Sequence, residues 1–239
     1  MPVAITESQH KAARVVGLTY LLALAPAIFA EFFVLGRLVD FNDAAETARN
    51  IVAHERLFRL GIASNLSVFA LDVVLISALY VVLEPVGRSF ALLAAFWRLI
   101  ETAILVVAAL NDFEVLRVLS GAPYLRAFEA GQLQALARLA IGGHGAGYNV
   151  GLVFAGLGST VFCCLWFKSG FVPKTLAAWG VFSSSLLAAC AFAFIVFPEL
   201  RKIVTIGFYG GPIFFFELTM GFWLLIRGLP RPAADGVPS

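Results

Sequence analysis

The sequence predicts an all-α protein: a six-transmembrane-helix bundle with two interfacial amphipathic helices. Three observations carry that prediction. Apolar runs at Val15–Leu35, Leu60–Leu83, Phe90–Leu110, Val150–Phe167, Thr175–Phe197 and Phe208–Ile226 each reach or approach the ~20 residues that a ~30 Å hydrocarbon core requires. Charged residues make up only 13% of the 239, against ~25% in a soluble domain. The runs do not alternate in polarity with a period of two, which excludes the strands of a membrane barrel.

The chain divides into a polar N-terminal segment (1–14), a six-span membrane domain (15–228) and a Pro-, Ala- and Gly-rich tail (229–239), expected to be disordered. Lys11 and Arg14 precede the first span, as in a signal peptide. Its apolar stretch is too long for an h-region, however, and Ile28 occupies the −3 place before the cut after Ala30. It is read as an uncleaved span. Pro26 removes one backbone hydrogen bond inside it and favours a kink.

Between spans one and two, Asp43 and Glu46 have capping-box spacing. Ile51 and Phe58 fall one heptad apart, so residues 43–57 are expected to form a helix on the membrane surface. Glu84-Pro-Val-Gly-Arg88 is a tight turn that makes an antiparallel hairpin of spans two and three. In the third loop, Pro123 suits a first helical turn. Leu125, Phe128, Leu136 and Leu139 supply an apolar stripe, so residues 123–140 are expected to be the second interfacial helix. Gly143, Gly147, Gly151, Ala155 and Ser159 recur every fourth residue and form a small ridge for close helix approach. Gly210-Gly211-Pro212 either breaks the sixth helix, as in transporter half-helices, or starts it with Pro in the first turn.

Basic residues flank both ends of the membrane domain (Lys11, Arg14, Arg227, Arg231), and Lys168 and Lys174 flank the fourth loop. These place both termini in the cytoplasm, although arginines also occur in loops one and three. The net charge of +2 is small and the basic residues are scattered. Neither nucleic acid nor a polybasic lipid-binding patch is indicated.

Asp72, Arg98, Glu101 and Glu217 lie inside the apolar runs. A charge at bilayer depth costs roughly 2.5–3.5 kcal/mol even on the lenient insertion scale, so these residues need partners. Counted from the Pro85 turn at ~1.5 Å per residue, Asp72 and Glu101 lie about 17 Å deep and Arg98 about 12 Å. Glu217, counted from Ile226, lies about 14 Å deep on the same rise. All four share one layer, which is the expected polar site. Three acids against one arginine should leave at least one carboxyl neutral, and Glu217, flanked by phenylalanines, is the choice. Arg59, His144 and Tyr148 are expected at the periphery of this site. Glu31 lies near enough to the end of span one to reach the interface.

His144 and Tyr148 sit in Gly142-Gly-His-Gly-Ala-Gly-Tyr148. The preceding segment is helical, which excludes a nucleotide loop. No Cys or His spacing fits a metal, no cofactor is expected, and Cys163, Cys164 and Cys190 read as apolar fillers. No nucleophile elbow occurs.

One further signal is a resemblance. The segments Asp43–Ile51, Leu57-Phe-Arg59, Leu79-Tyr80, Arg98…Glu101, Lys168-Ser-Gly-Phe-Val-Pro173 and Phe216-Glu217 resemble, in this order, a bacterial family of multi-pass membrane proteins known only as a domain of unknown function. The likeness runs from about Arg14 to Gly228. It implies about six helices in a bacterial inner membrane and lends no activity.

Three function classes follow. The chain binds or moves an amphiphilic small molecule or lipid at the charged layer. Alternatively, it is an intramembrane enzyme whose paired carboxyls do acid–base chemistry on a lipid or isoprenoid-like substrate. The third class is a structural or regulatory protein with a buried salt-bridge network. A pocket reaching two carboxyls marks the enzyme, and a dry, fully paired cluster marks the structural protein.

Overall fold

The computed structural model describes residues 5–230, and all regular structure among them is helical. The polar segment's first four residues and tail residues 231–239 lie outside the described part, so the expected disorder of the tail falls there.

Helix α1 (Glu7–Ile28) carries Pro26 in its last turn. Proline supplies no N–H to the helical ladder. Directly beyond it the backbone widens into π-helical turns over Phe29–Leu35, then closes with an α turn, Gly36–Leu38. The disturbance expected at Pro26 is expressed as a change of helix type.

Helix α2 (Ala44–Ala53) begins at the predicted cap, where Asp43 Oδ1 accepts from the Glu46 N–H at 2.9 Å. The Thr47 hydroxyl donates to the Asp40 carbonyl at 2.8 Å and accepts from the Asp40 N–H at 2.9 Å, tying the preceding loop to the helix.

Helix α3 (Glu55–Val118) is interrupted at Gly87, where φ is −178° and ψ is 86°, two residues after Pro85. Asp72 and Arg98 are 26 residues apart yet only 3.3 Å from each other. A straight helix would separate them by about 39 Å, so α3 is a hairpin with arms 55–86 and 88–118.

Helix α4 (Ala130–Ser169) corrects one expectation. Residues 123–140 do not form a separate interfacial helix. Pro123–Ala127 is a short 3₁₀ turn, and residues 130–140 are the opening turns of α4. The glycines at 142–147 have low helix propensity and lie inside α4. Without a proline nearby they stay helical, because close neighbours hold them: a Cβ at Gly143 would meet Asn111 Oδ1 at 2.8 Å, and one at Gly147 the Cβ of Ala108 at 2.8 Å.

Helix α5 (Lys174–Val196) is followed by a 3₁₀ turn, Pro198–Lys202. A single helical turn, α6 (Ile206–Tyr209), leads into α7 (Gly211–Ile226), which has Pro212 in its first turn. A plain helix start therefore accounts for the Gly-Gly-Pro motif.

Among the described residues, four helical stretches are long and apolar enough to cross a membrane: Glu7–Leu38, Glu55–Val118, Ala130–Ser169 and Lys174–Val196. Phe33, Val107, Leu139 and Phe182, one on each stretch, are more than 60% exposed. Large apolar side chains facing outward on all four stretches fit hydrocarbon rather than water as the surrounding solvent.

The chain forms two compact units. The first comprises Leu71–Glu101, Leu152 onward and the N-terminal residues to Leu22. Its core holds Val16, Val82, Leu83, Ala94, Trp166, Phe216, Met220 and Leu224. Small residues set its helix spacing. A Cβ at Gly17 would meet the Gly221 carbonyl at 2.8 Å, and one at Gly156 would meet the Ala188 backbone nitrogen at 2.5 Å. Buried Gln9 donates to the Val82 carbonyl at 3.0 Å, close to the Pro85–Gly87 break. The second unit comprises Ala23–Ala70 and Thr102–Gly151. Val34, Leu38, Ile51, Phe58 and Val115 form its core, so the Ile51–Phe58 stripe is buried in protein.

Candidate functional site

In the first unit, Arg98 and Glu101 stand three residues apart on one face of α3's second arm. Arg98 Nη1 lies 2.7 Å from Glu101 Oε2, and Nη2 lies 3.3 Å from Asp72 Oδ1 on the first arm. The three side chains are only 10, 6 and 12% exposed, respectively. The Arg98–Glu101 contact is a close ion pair without hydrogen-bond alignment, whereas Arg98 donates a hydrogen bond to Asp72. Gly158 of α4 makes room for the arginine stem. A Cβ there would stand 2.8 Å from Arg98 Cγ and 3.0 Å from the Ala94 carbonyl.

Glu217, half-buried on α7, completes the group. It lines a small cavity together with Arg98, Tyr20, Ser159, Cys163 and Trp166. The cavity volume is about 10 Å³, room for about one water. Asp72 and Glu101 do not line it. No hydrogen bond or ion pair among the described residues involves Glu217, whereas Asp72 and Glu101 are both paired to Arg98. The structure thus gathers the four residues that the sequence places in one layer, and it separates them into a paired triad and an open carboxyl.

Tyr20 is the member of this site that sequence reasoning missed. It sits half-buried in a leucine-rich stretch of α1 with no spacing signal to mark it. Gly158 was also missed, because the ridge drawn from Gly143 steps over it.

The other anticipated residues belong to the second unit. Arg59 is half exposed and pairs with Glu55 one turn away at 2.7 Å, a surface contact worth little. His144 is buried, and its Nδ1 lies 3.0 Å from Asp112 Oδ2. Tyr148 stacks on the His144 ring at 6.2 Å between centroids. Asp112 is 4% exposed. Nothing in the sequence singles it out, since it closes an apolar run, where a polar residue is ordinary. The close approach at Gly143 and Gly147 seats α3's second arm beside His144. Glu31 lies on the π-helical turns and is exposed. Among the described residues no group of three or more His, Cys, Asp or Glu side chains could hold a metal ion.

A family model described as "Domain of unknown function (DUF4386)" matches residues 15–228. The chain belongs to this family. An uncharacterized protein of the archaeon Archaeoglobus fulgidus is 27% identical over 164 residues, covering 67% of this chain and 79% of the relative. No solved structure matches. The match takes in every residue of the Asp72–Arg98–Glu101–Glu217 group and the Asp112–His144 pair. The shared region is therefore the membrane helices themselves.

Proposed function

We propose that this chain is a six-span protein of the bacterial inner membrane that binds the polar end of an amphiphilic small molecule or lipid at Glu217. Four long apolar stretches support the membrane reading. Counting the two arms of α3 separately adds a fifth span. Helices α6 and α7, nearly continuous from Ile206 to Ile226, reach about 31 Å at 1.5 Å per residue and supply the sixth. The basic flanks at Lys11, Arg14 and Arg227 favour cytoplasmic termini.

The observation that carries the ligand assignment is the unpaired, half-buried carboxyl of Glu217 on a cavity the size of one water. A carboxyl at that depth is expensive unless something pairs with it. The chain's own cation is already shared by Asp72 and Glu101. The fitting occupant is one small donor group, a hydroxyl or an ammonium, with its alkyl tail outside among the lipid chains. Three acids against one guanidinium favour a cationic or donating head over an anionic one. The acid–base alternative needs two carboxyls on one substrate atom, and Glu217 is the sole carboxyl on the cavity wall. The Asp72–Arg98–Glu101 triad acts as the brace that fixes α3 beside the site.

Decylamine, decanol and decanoic acid, added to the detergent-solubilised protein, test this reading by thermal unfolding. Decylamine and decanol should raise the melting temperature of the native chain and leave Glu217→Gln unmoved or nearly so, while decanoate does neither. Equal stabilisation of both proteins by decylamine would remove Glu217 from the site.

A further inference from the structure

Lys11 and Arg14 on α1 and Arg227 at the end of α7 are far apart in sequence but line one cleft. In the first unit, the N-terminal turns of α1 and the C-terminal turns of α7 enclose an open cleft of about 750 Å³, within the size range of small-molecule sites. Its charged and titratable wall residues are Glu7, His10, Lys11, Arg14 and Arg227. Lys11 is engaged by Glu7 at 2.7 Å. Arg14 and Arg227 make no ion pair among the described residues. Trp223 and Ile226 supply an apolar wall on the α7 side.

The cleft is shaped by the way α7 ends. Gly228 takes φ 66°, a conformation open to glycine, and its N–H bonds back to the Trp223 carbonyl at 3.3 Å. The chain turns there, and Leu229 is buried in the core at 3% exposure. Arg227 is thereby held at the rim.

Depth supplies a second argument. Arg14 immediately precedes the apolar run that begins at Val15, and Arg227 immediately follows the one that ends at Ile226. Both therefore stand at the boundary between hydrocarbon and water, where phosphodiester headgroups lie and where tryptophan is favoured. Two unpaired guanidiniums match a phosphate, and the Trp223–Ile226 wall matches the start of an acyl chain.

We propose that this cleft binds the headgroup phosphate of an anionic phospholipid, with its acyl chains lying along α7. This site is separate in its residues and in its charge preference from the Glu217 cavity.

The test uses native mass spectrometry of the full chain in detergent, titrated with dioctanoyl phosphatidylglycerol, dioctanoyl phosphatidylcholine or inorganic phosphate. Phosphatidylglycerol adducts should form at lower concentration than phosphatidylcholine adducts. The double variant Arg14→Gln/Arg227→Gln should bind phosphatidylglycerol about 30-fold more weakly, the contribution of two cations at an anionic surface. Phosphatidylcholine binding should be unchanged in that variant, which also reports that it is folded. Millimolar phosphate should not displace the lipid. Glu217→Gln should bind phosphatidylglycerol like the native chain, so failure of the Glu217 assignment leaves this one standing. Equal uptake of the two lipids, native-like phosphatidylglycerol binding by the double variant, or displacement by free phosphate would each overturn the assignment.

Discussion

Replacing Arg98 by methionine keeps much of the side-chain volume and removes the charge that two carboxylates share. Asp72 at 3.3 Å and Glu101 at 2.7 Å lose their common partner in a site where all three side chains are 12% exposed or less. Breaking a buried pair from one side strands an uncompensated charge and costs about 3–5 kcal/mol. At about 2–4 °C per kcal/mol for a chain of this size, Arg98→Met should melt about 6–20 °C below the native protein. Arg98→Lys should fall between the two, because a single ammonium on a flexible stem cannot hold both carboxylates as a guanidinium fork does. The decisive comparison is the triple variant Arg98→Met/Asp72→Asn/Glu101→Gln. It removes the stranded charges along with the cation, so it should recover most of the lost stability. Thermal unfolding followed by size-exclusion recovery in one detergent measures all three. If Arg98→Met melts with the native chain, or if the triple variant is as unstable as the single one, the paired-triad argument fails.

Four other outcomes are expected. Gly156→Ala should destabilise by about 1–3 kcal/mol through overpacking, since its Cβ would sit 2.5–2.8 Å from Ala188 atoms that include backbone. Gly131→Ala, with nothing within 4 Å, should melt at or slightly above the native temperature in the same assay. Asp112→Ala should destabilise by about 1–3 kcal/mol by unpairing buried His144; a variant within 0.5 kcal/mol of native in denaturant titration would show that the 3.0 Å contact contributes nothing. In a cysteine-free background, Glu46→Cys and Ala130→Cys should be labelled by an impermeant maleimide from the same side of the membrane, and Lys11→Cys from the other. Any different pattern means a span count other than six.

Much of this arrangement was legible from chemistry that acts locally. Asp43 with Glu46 announced the start of α2, since the cap needs only residues within one turn. Pro85 announced the reversal of α3, because proline removes a donor from the helical ladder. The expense of a membrane-buried charge pointed to Asp72, Arg98, Glu101 and Glu217 with no knowledge of the fold. What stayed hidden depends on neighbours distant in sequence. Residues 130–140 merge into α4 because Asn111 and Ala108 support a glycine-rich stretch that propensity alone would have ended. Asp112 looked like the first polar residue of a loop until α4 placed His144 beside it. Tyr20 has nothing in its own stretch of chain to distinguish it. The basic cleft could not be seen from scattered arginines, because it exists only where the first and last described helices lie together.

In the proposed function, Glu217 receives the polar head of an amphiphile whose tail lies in the membrane. A photoreactive alkylamine, carrying a diazirine on the carbon next to the ammonium, tests it directly in proteoliposomes, with peptide mapping of the cross-linked residues. Labelling should concentrate on the cavity wall, at Tyr20, Phe162, Trp166 and Glu217, be competed by unlabelled decylamine and be lost in Glu217→Gln. Labelling spread evenly over the lipid-facing residues of all the long helices, and unchanged by that substitution, would contradict it.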